Sequence, residues 1–177
     1  MRAALLTIST SKTNDEGRDE SGERLAAFAA RLGAEIAAAE VIPDDRRLIE
    51  ARLRHFSDEA GCDLVLTSGG TGFAPSDVTP EATRAAIERE APGIAEAMRA
   101  ASRPHTEHWM LSRGLAGIRG RTLIVNFPGS PASIEQAGKA IATALPHALD
   151  LIADRPSTHA GGAAESEGGP ARVASGE

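Results

Sequence analysis

Short runs of apolar residues alternate along the chain with longer stretches in which apolar residues recur every three to four positions. The short runs predict buried strands, and the periodic stretches predict helices. The predicted strands lie at residues 3–8, 36–42, 63–67 and 123–127. The predicted helices lie at 21–33, 80–89, 93–101 and 106–113. Another follows a break at 43–45 and extends to about residue 60, and one long helix follows a turn at 128–131 and extends through Leu145.

The alternation of strands and helices predicts an α/β fold, with a mostly parallel sheet and helices on both of its faces. Strand 3–8 is apolar on both faces, which is typical of a strand buried within such a sheet. Ligands bind such sheets outside the carboxyl ends of the strands. The segments that follow the strands are therefore expected to meet at one edge. They are Ser9-Thr10, Pro43-Asp44, 68–72 and 128–130.

The stretch from Thr67 to Glu81 carries the most information about chemistry. Three glycines and three hydroxyl residues occupy its first six positions, directly after a predicted strand. Glycine permits a positive φ and the close approach of a ligand, and successive backbone N–H groups in such a turn form a concavity for anions. Thr79 is predicted as an N-cap and Pro80 as the first helical residue. The sequence thus predicts a phosphate site with Asp77 beside it, although a glycine turn alone can also be purely structural.

Length and composition restrict the class of protein. The 177 residues suggest one domain at 1–154, followed by a tail at 155–177 that lacks Leu, Ile, Phe and Trp and is expected to be disordered. The net charge is −6 and no basic run occurs, which argues against nucleic-acid binding. The single Cys62 excludes an internal disulfide. Since no apolar run has the length of a membrane span or signal peptide, we expect a cytoplasmic protein without membrane contact.

Four motifs occur in order between about residues 2 and 152. They are D-E-S-G at 19–22, T-S-G-G-T-G-F-A-P-S-D-V-T-P-E-A-T at 67–83, S-R-G-L-A-G at 112–117 and N-F-P-G-S-P at 126–131. In this order the motifs resemble those of the MogA/MoaB family of molybdopterin adenylyltransferases, a domain also found in gephyrin. The central motif is the most specific of the four, whereas P-G-S-P alone would not be informative.

The resemblance implies a three-layer α/β/α sandwich, usually assembled as a homotrimer. It also implies a reaction in which the terminal phosphate of molybdopterin attacks the α-phosphate of ATP. Adenylyl-molybdopterin and pyrophosphate are the products, and the former passes to a separate molybdenum-insertion protein or domain. Because two phosphorylated anions must meet, Mg²⁺ is the expected cofactor, held by one or two carboxylates and phosphate oxygens.

The same resemblance implies the site residues. Asp44 and Asp77 are the expected catalytic residues and Mg²⁺ ligands. Asp77 is expected to support the metal ion and the pyrophosphate, and Asp44 to position the pterin phosphate or the metal ion, although these two roles could be exchanged. The expected substrate-binding and nucleotide-binding residues are Ser68, Gly69, Gly70, Thr71, Gly72, Asp19, Ser21, Ser112, Arg113, Pro128, Gly129 and Ser130.

Each of these assignments has a purely structural alternative. Asp44 could be the N-cap of its helix, and Asp77 a turn residue. Asp19 and Ser21 could form only a helix cap. Arg113 could form an ion pair instead of binding phosphate.

Two departures from the family pattern leave the activity open. This chain has Ser9-Thr10 where many members have Ser-Asp, and Ala132-Ser133 where a Lys often follows P-G-S-P. A protein that binds molybdopterin as a carrier or scaffold without transferring AMP is therefore one alternative. A different nucleotide or phosphate enzyme of this fold, related to the competence-damage proteins, is another. Retention of both Asp44 and Asp77 favours the enzyme, since a binder of anions would not need two acids.

Overall fold

The computed structural model describes residues 1–13 and 18–154. The predicted tail at 155–177 lies outside the described residues, as do residues 14–17 of the polar segment after the first strand. Within the described ranges, no helix has both the length and the apolar character needed to cross a membrane.

A six-stranded sheet forms the centre of the described chain. Its strands are β1 Arg2–Ile8, β2 Glu35–Ile42, β3 Leu64–Ser68, β4 Arg89–Glu90, β5 Ala116–Arg119 and β6 Thr122–Phe127, in the spatial order β2-β1-β3-β6-β5-β4. The first four strands in this order are parallel, and β5 and β4 add an antiparallel edge. The prediction of a mostly parallel α/β sheet is confirmed, and the four predicted strands are all present.

Helices cover both faces of this sheet. They are α1 Thr10–Thr13, α2 Glu20–Arg31, α3 Arg46–Asp58, α4 Thr79–Ala86, α5 Pro92–Ser102, α6 Pro131–Ile141 and α7 Ala144–Ile152, with a 3-10 helix at Glu107–Leu111. One core packs α2, α5, α6 and α7 against the sheet around Phe28 and Phe127. A second core packs α3 and α4 against the other face around Ile49 and Phe56. The three-layer sandwich is therefore confirmed.

Three predictions about the helices are wrong in detail. Thr79 is the first residue of α4 and not its N-cap, because Val78 occupies that position, and Pro80 is the second residue. The helix predicted at 80–89 ends at Ala86, because the chain turns to the extended conformation of edge strand β4. The long helix through Leu145 is two helices, since Pro146 lacks the N–H that would bond the carbonyl of Ala142 in a continuous helix.

The antiparallel hairpin of β5 and β6 was not predicted from the sequence, because β5 was not recognised as a strand. Strand β5 has the sequence A-G-I-R, and its glycine and arginine interrupt the run of apolar residues that would indicate a strand. Gly117 is required there because a Cβ would lie 2.8 Å from the carbonyl oxygen of Arg89 on the neighbouring strand. The close approach of β4 thus selects a residue that weakens the strand signal.

Candidate active site

The segments after the four parallel strands meet at one edge of the sheet, as predicted. Oγ of Ser68 donates to the carbonyl of Pro128 at 3.1 Å, and the N–H of Gly69 donates to the carbonyl of Phe127. Across β1 and β2, the N–H of Ser9 donates to the carbonyl of Ile42 at 2.9 Å. These bonds join residues that are far apart in the sequence, and the sheet topology brings them together.

The glycine loop folds tightly against this edge. Gly69 and Gly70 have φ values of 101° and 62°, in the left-handed region. A Cβ at Gly69 would lie 2.2 Å from the carbonyl oxygen of Ile8. Thr79 joins the loop to α4, since its Oγ1 donates to the carbonyl of Gly69 at 2.9 Å and its N–H donates to that of Gly70 at 3.1 Å. The hydroxyl that was predicted to cap the helix therefore holds the loop.

Asp44 faces the glycine loop and does not cap a helix. Its Oδ2 accepts hydrogen bonds from both the N–H and the Oγ1 of Thr10, each at 2.8 Å. The capping role belongs to Asp45, whose carboxylate accepts from the N–H of Leu48 at 2.9 Å. A Cβ at Gly70 would lie 3.1 Å from Oδ1 of Asp44. The N-cap alternative for Asp44 is therefore wrong, and its second oxygen lies beside the loop.

Asp77 lies beside the same loop, next to Gly72. Its Oδ2 accepts from the N–H of Ala74, and its own N–H donates to the carbonyl of Ala74, both at 2.9 Å. A Cβ at Gly72 would lie 2.9 Å from Oδ2 of Asp77. Residues 1–13 and 18–154 contain no cluster of three or more His, Cys, Asp or Glu side chains that could hold a metal ion. A cation between these two carboxylates would therefore need oxygen ligands from a substrate.

Arg113 bonds the second half of the glycine loop and links it to α4. Its Nε donates to the carbonyl of Gly72 at 2.6 Å, its Nη2 donates to the carbonyl of Asp77, and its Nη1 pairs with the carboxylate of Glu81. Its own N–H donates to the carbonyl of Thr71 at 2.8 Å. All three guanidinium nitrogens thus bond protein acceptors, which favours the ion-pair alternative for Arg113 over direct binding of phosphate.

Glu81 completes this contact between the loop and α4. Burial raises the pKa of its carboxyl group, but the hydrogen bond and charge of Arg113 outweigh burial, so that the pKa lies below its usual value. The Oε2 atom of Glu81 is buried and has no hydrogen-bond partner among the described residues. The pair is therefore held by Oε1 alone and depends on the charge of Arg113.

We expect Arg113→Lys to loosen the loop. A lysine has a single ammonium group in place of the planar guanidinium, and it cannot reach the two carbonyls and Glu81 together. Hydrogen exchange at the N–H of Ala74, which is bonded to Asp77, should accelerate about tenfold or more. Arg84→Lys is the matched control, because its ion pair with Glu90 is exposed. Equal exchange rates in wild-type protein and Arg113→Lys would contradict a holding role.

The D-E-S-G motif joins α2 to the same edge. Asp19 caps α2 by accepting from the N–H of Gly22 at 3.0 Å, and it pairs with Lys12 at 3.1 Å. Burial raises the pKa of Asp19, but the bonds from the Thr7 hydroxyl, from Gly22 and from Lys12 together lower it below its usual value. Ser21 is buried, and its Oγ donates to the carbonyl of Gly129 at 2.8 Å. The motif is therefore a helix cap that also anchors the P-G-S-P turn.

A cavity of about 110 Å³ opens beside the P-G-S-P turn. Two of the predicted site residues, Ser112 and Pro128, line it together with polar side chains and Trp109. The polar residues are Arg99, Ser102, Thr106, His108, Asn126 and Ser133. Ser130 has another role, because its Oγ accepts from the N–H of Ser133 and caps α6.

Three residues that hold the site were not singled out by the sequence analysis. Thr10 binds Asp44, Glu81 binds Arg113, and the buried amide of Asn126 donates to Thr67 and Thr83. Asn126 and Glu81 both belong to motifs that were recognised. For Asn126 a signal was available, because a polar residue in a buried strand usually bonds other buried polar groups. Thr10 was expected at the same edge of the sheet as Asp44, but nothing in the sequence indicated that the two residues bond each other.

The fold and site can be compared with known proteins. Residues 4–147 match a family described as a probable molybdopterin binding domain. The chain is 40% identical over 161 residues to the molybdenum cofactor synthesis protein cinnamon of Drosophila melanogaster, covering 88% of this chain and 27% of that protein. It is 46% identical over 113 residues to a molybdopterin adenylyltransferase of Helicobacter pylori, covering 64% of each.

Solved structures show the same similarity. The molybdopterin biosynthesis enzyme MoaB of Thermus thermophilus has a TM-score of 0.82 and 44% identity, covering 88% of this chain and 98% of that one. The Mog protein of Mycobacterium ulcerans has a TM-score of 0.81 and 37% identity, covering 85% and 98%. The match to the family extends over most of the chain and includes the glycine loop and both aspartates. The chain therefore belongs to the MogA/MoaB family of molybdopterin-binding domains.

Proposed function

We propose that this protein transfers AMP from ATP to molybdopterin. A terminal phosphate oxygen of molybdopterin attacks the α-phosphorus of ATP, and the bond between this phosphorus and the α,β-bridging oxygen breaks. The products are adenylyl-molybdopterin and pyrophosphate. The observation that carries the proposal is the placement of Asp44 beside Gly70 and of Asp77 beside Gly72, in one glycine loop at the carboxyl edge of the sheet.

The charges around the loop support a reaction that uses a metal ion. Both substrates are anions, and the two carboxylates would repel them unless a cation lay between. Nearby, the charge of Arg113 is paired with Glu81 and that of Lys12 with Asp19. Within the described ranges, Oδ1 of Asp44 accepts no hydrogen bond from the protein, which leaves it available as a ligand.

Mg²⁺ fits this donor set. Asp44 and Asp77 would supply carboxylate oxygens, and the remaining ligands would be phosphate oxygens and water, as this ion prefers. When bound, the ion would offset charge on the transferring phosphate. The chain's own contribution would be to place backbone N–H groups of residues 70–72 against the phosphates and to carry the two acids on separate elements.

The cavity near Trp109 supports a place for the pterin. Its wall combines the ring of Trp109 and apolar side chains such as Met98 with hydroxyl and imidazole groups, and the edge of a pterin carries several hydrogen-bond donors and acceptors. Pro128 lines this cavity, and its carbonyl accepts from Ser68 at the end of β3, directly before the glycine loop. A pterin held there would direct its phosphate towards the loop.

The proposal includes three further properties that follow from the family. The protein would work in the cytoplasm, where ATP is available, and would pass its product to a molybdenum-insertion protein. It would assemble as a homotrimer, and the exposed Ile36 and Val41 on edge strand β2 support a contact between copies. Light scattering of the purified protein would give the number of copies.

Release of pyrophosphate from ATP by the purified protein tests the function. We expect release only when molybdopterin and Mg²⁺ are both present, with adenylated pterin as the second product. Removal of Mg²⁺ by a chelator should abolish release, and restored Mg²⁺ should recover it. Tight binding of molybdopterin without release would instead establish the carrier alternative. Neither binding nor release would show that this chain keeps the fold without the activity.

A further inference from the structure

Phe73 is held at the surface of the glycine loop, outside both cores. Its side chain is 67% exposed, which makes it the most exposed of the large apolar side chains in ranges 1–13 and 18–154. An exposed aromatic ring is common in a loop that moves, but this loop is bonded on both sides of the residue. The carbonyl of Gly72 accepts from Arg113, and the N–H of Ala74 donates to Asp77.

The position of Phe73 relates it to the phosphates of a bound nucleotide. It follows Gly70 by three residues, so their Cα atoms are at most about 11 Å apart. It also lies between the loop glycines and Asp77, within the segment that Arg113 fastens to α4. A ring carried within this range of a phosphate-binding turn can contact the base of a nucleotide whose phosphates occupy that turn.

We propose that Phe73 is the platform on which the adenine ring of ATP stacks, an inference that rests on the proposed function. The two substrates each carry a planar heterocycle, and the structure offers two different surroundings. The cavity near Trp109 is enclosed by apolar side chains such as Met98 and also carries hydroxyl and imidazole groups, which can bond the edge of a pterin. Phe73 presents an apolar face, and stacking on such a face requires no specific hydrogen bond. Adenine is therefore assigned to Phe73.

The test compares the binding of ATP with that of inorganic triphosphate, which has the phosphates but no base. Calorimetry would measure both affinities for wild-type protein, Phe73→Ala and Phe73→Trp in the presence of Mg²⁺. We expect Phe73→Ala to weaken ATP binding between about fivefold and 150-fold and to leave triphosphate binding unchanged. Phe73→Trp should bind ATP at least as tightly as wild-type protein, and its added tryptophan fluorescence should be quenched by ATP but not by triphosphate.

Leu151→Ala is the matched control. Leu151 is 57% exposed and lies on α7, in a groove formed with β4 and β5 and not with the glycine loop. Its removal should change neither affinity. This control separates the loss of an exposed apolar side chain in general from the loss of one beside the loop.

Three results would overturn the assignment. The first is an ATP affinity that is unchanged in Phe73→Ala. The second is an equal loss of ATP and triphosphate affinity in this variant, and the third is a change in its number of copies, measured by light scattering. The second would mean that the loop itself is disturbed, and the third that Phe73 contacts another copy. Failure of the proposed function is distinguishable, because ATP could still stack on Phe73 in a protein that releases no pyrophosphate.

Discussion

Asp77→Asn should reduce AMP transfer by about a hundredfold to a thousandfold while the protein remains folded. An asparagine can still accept the hydrogen bond from the N–H of Ala74, so the loop keeps its shape. The substitution removes the negative charge that would bind Mg²⁺ next to the phosphates. Pyrophosphate release under saturating ATP and molybdopterin measures the effect, and a raised Mg²⁺ concentration should recover part of the rate.

Asp45→Asn provides the control for this change. Asp45 also lies near the carboxyl edge of the sheet and accepts a backbone N–H, but its role is to cap α3. Since asparagine caps helices as well as aspartate does, activity and stability should stay close to those of wild-type protein. Unchanged turnover in Asp77→Asn would remove Asp77 from the mechanism. A fall in both turnover and unfolding midpoint would instead indicate that the loop had lost its shape.

Gly69→Ala should lower the free energy of unfolding by between about 2 and 5 kcal/mol. The left-handed φ of 101° costs an alanine about 1–2 kcal/mol. In addition, the new Cβ would lie 2.2 Å from the carbonyl oxygen of Ile8, a backbone atom that cannot rotate away. The ends of β1 and β3 would have to move apart, which adds a cost similar to that of overpacking a core. Urea unfolding without nucleotide would measure the change.

Gly33→Ala separates the two causes. Gly33 also has a left-handed φ, of 73°, but a Cβ there would meet no atom within 4 Å. This variant should therefore lose only about 1–2 kcal/mol. If Gly69→Ala proved no less stable than Gly33→Ala, the contact between the loop and the end of β1 would not be as close as the structure has it.

Much of the site could be predicted because its residues follow strands. The positions of Asp44 and the glycine loop after β2 and β3 were enough to place them at one edge, since parallel strands end together. The two cores were equally accessible, because Leu25, Phe28, Ile49 and Phe56 repeat with helical spacing. Roles for these residues came from the resemblance to a family and not from spacing.

The features that were not predicted depend on contacts between residues that are far apart in the sequence. Whether Asp44 or its neighbour Asp45 caps α3 is decided by Thr10, which lies 34 positions earlier than Asp44. The partners of Arg113 are likewise two carbonyls and Glu81, all more than 30 positions away. Strand β5 escaped prediction because the close approach of β4 requires a glycine at position 117, where a strand normally has a larger residue.

Asp44 and Asp77 are held in place by different parts of the structure. Asp44 comes directly after β2 and is fixed through Thr10 after β1, so its position is tied to the sheet. Asp77 is carried by a loop that Arg113 fastens from outside. Residues 73–76 are exposed and lie outside both cores. A longer or shorter segment should therefore shift Asp77 relative to Asp44 while both cores stay packed, because only Asp77 depends on the two bonds with Ala74.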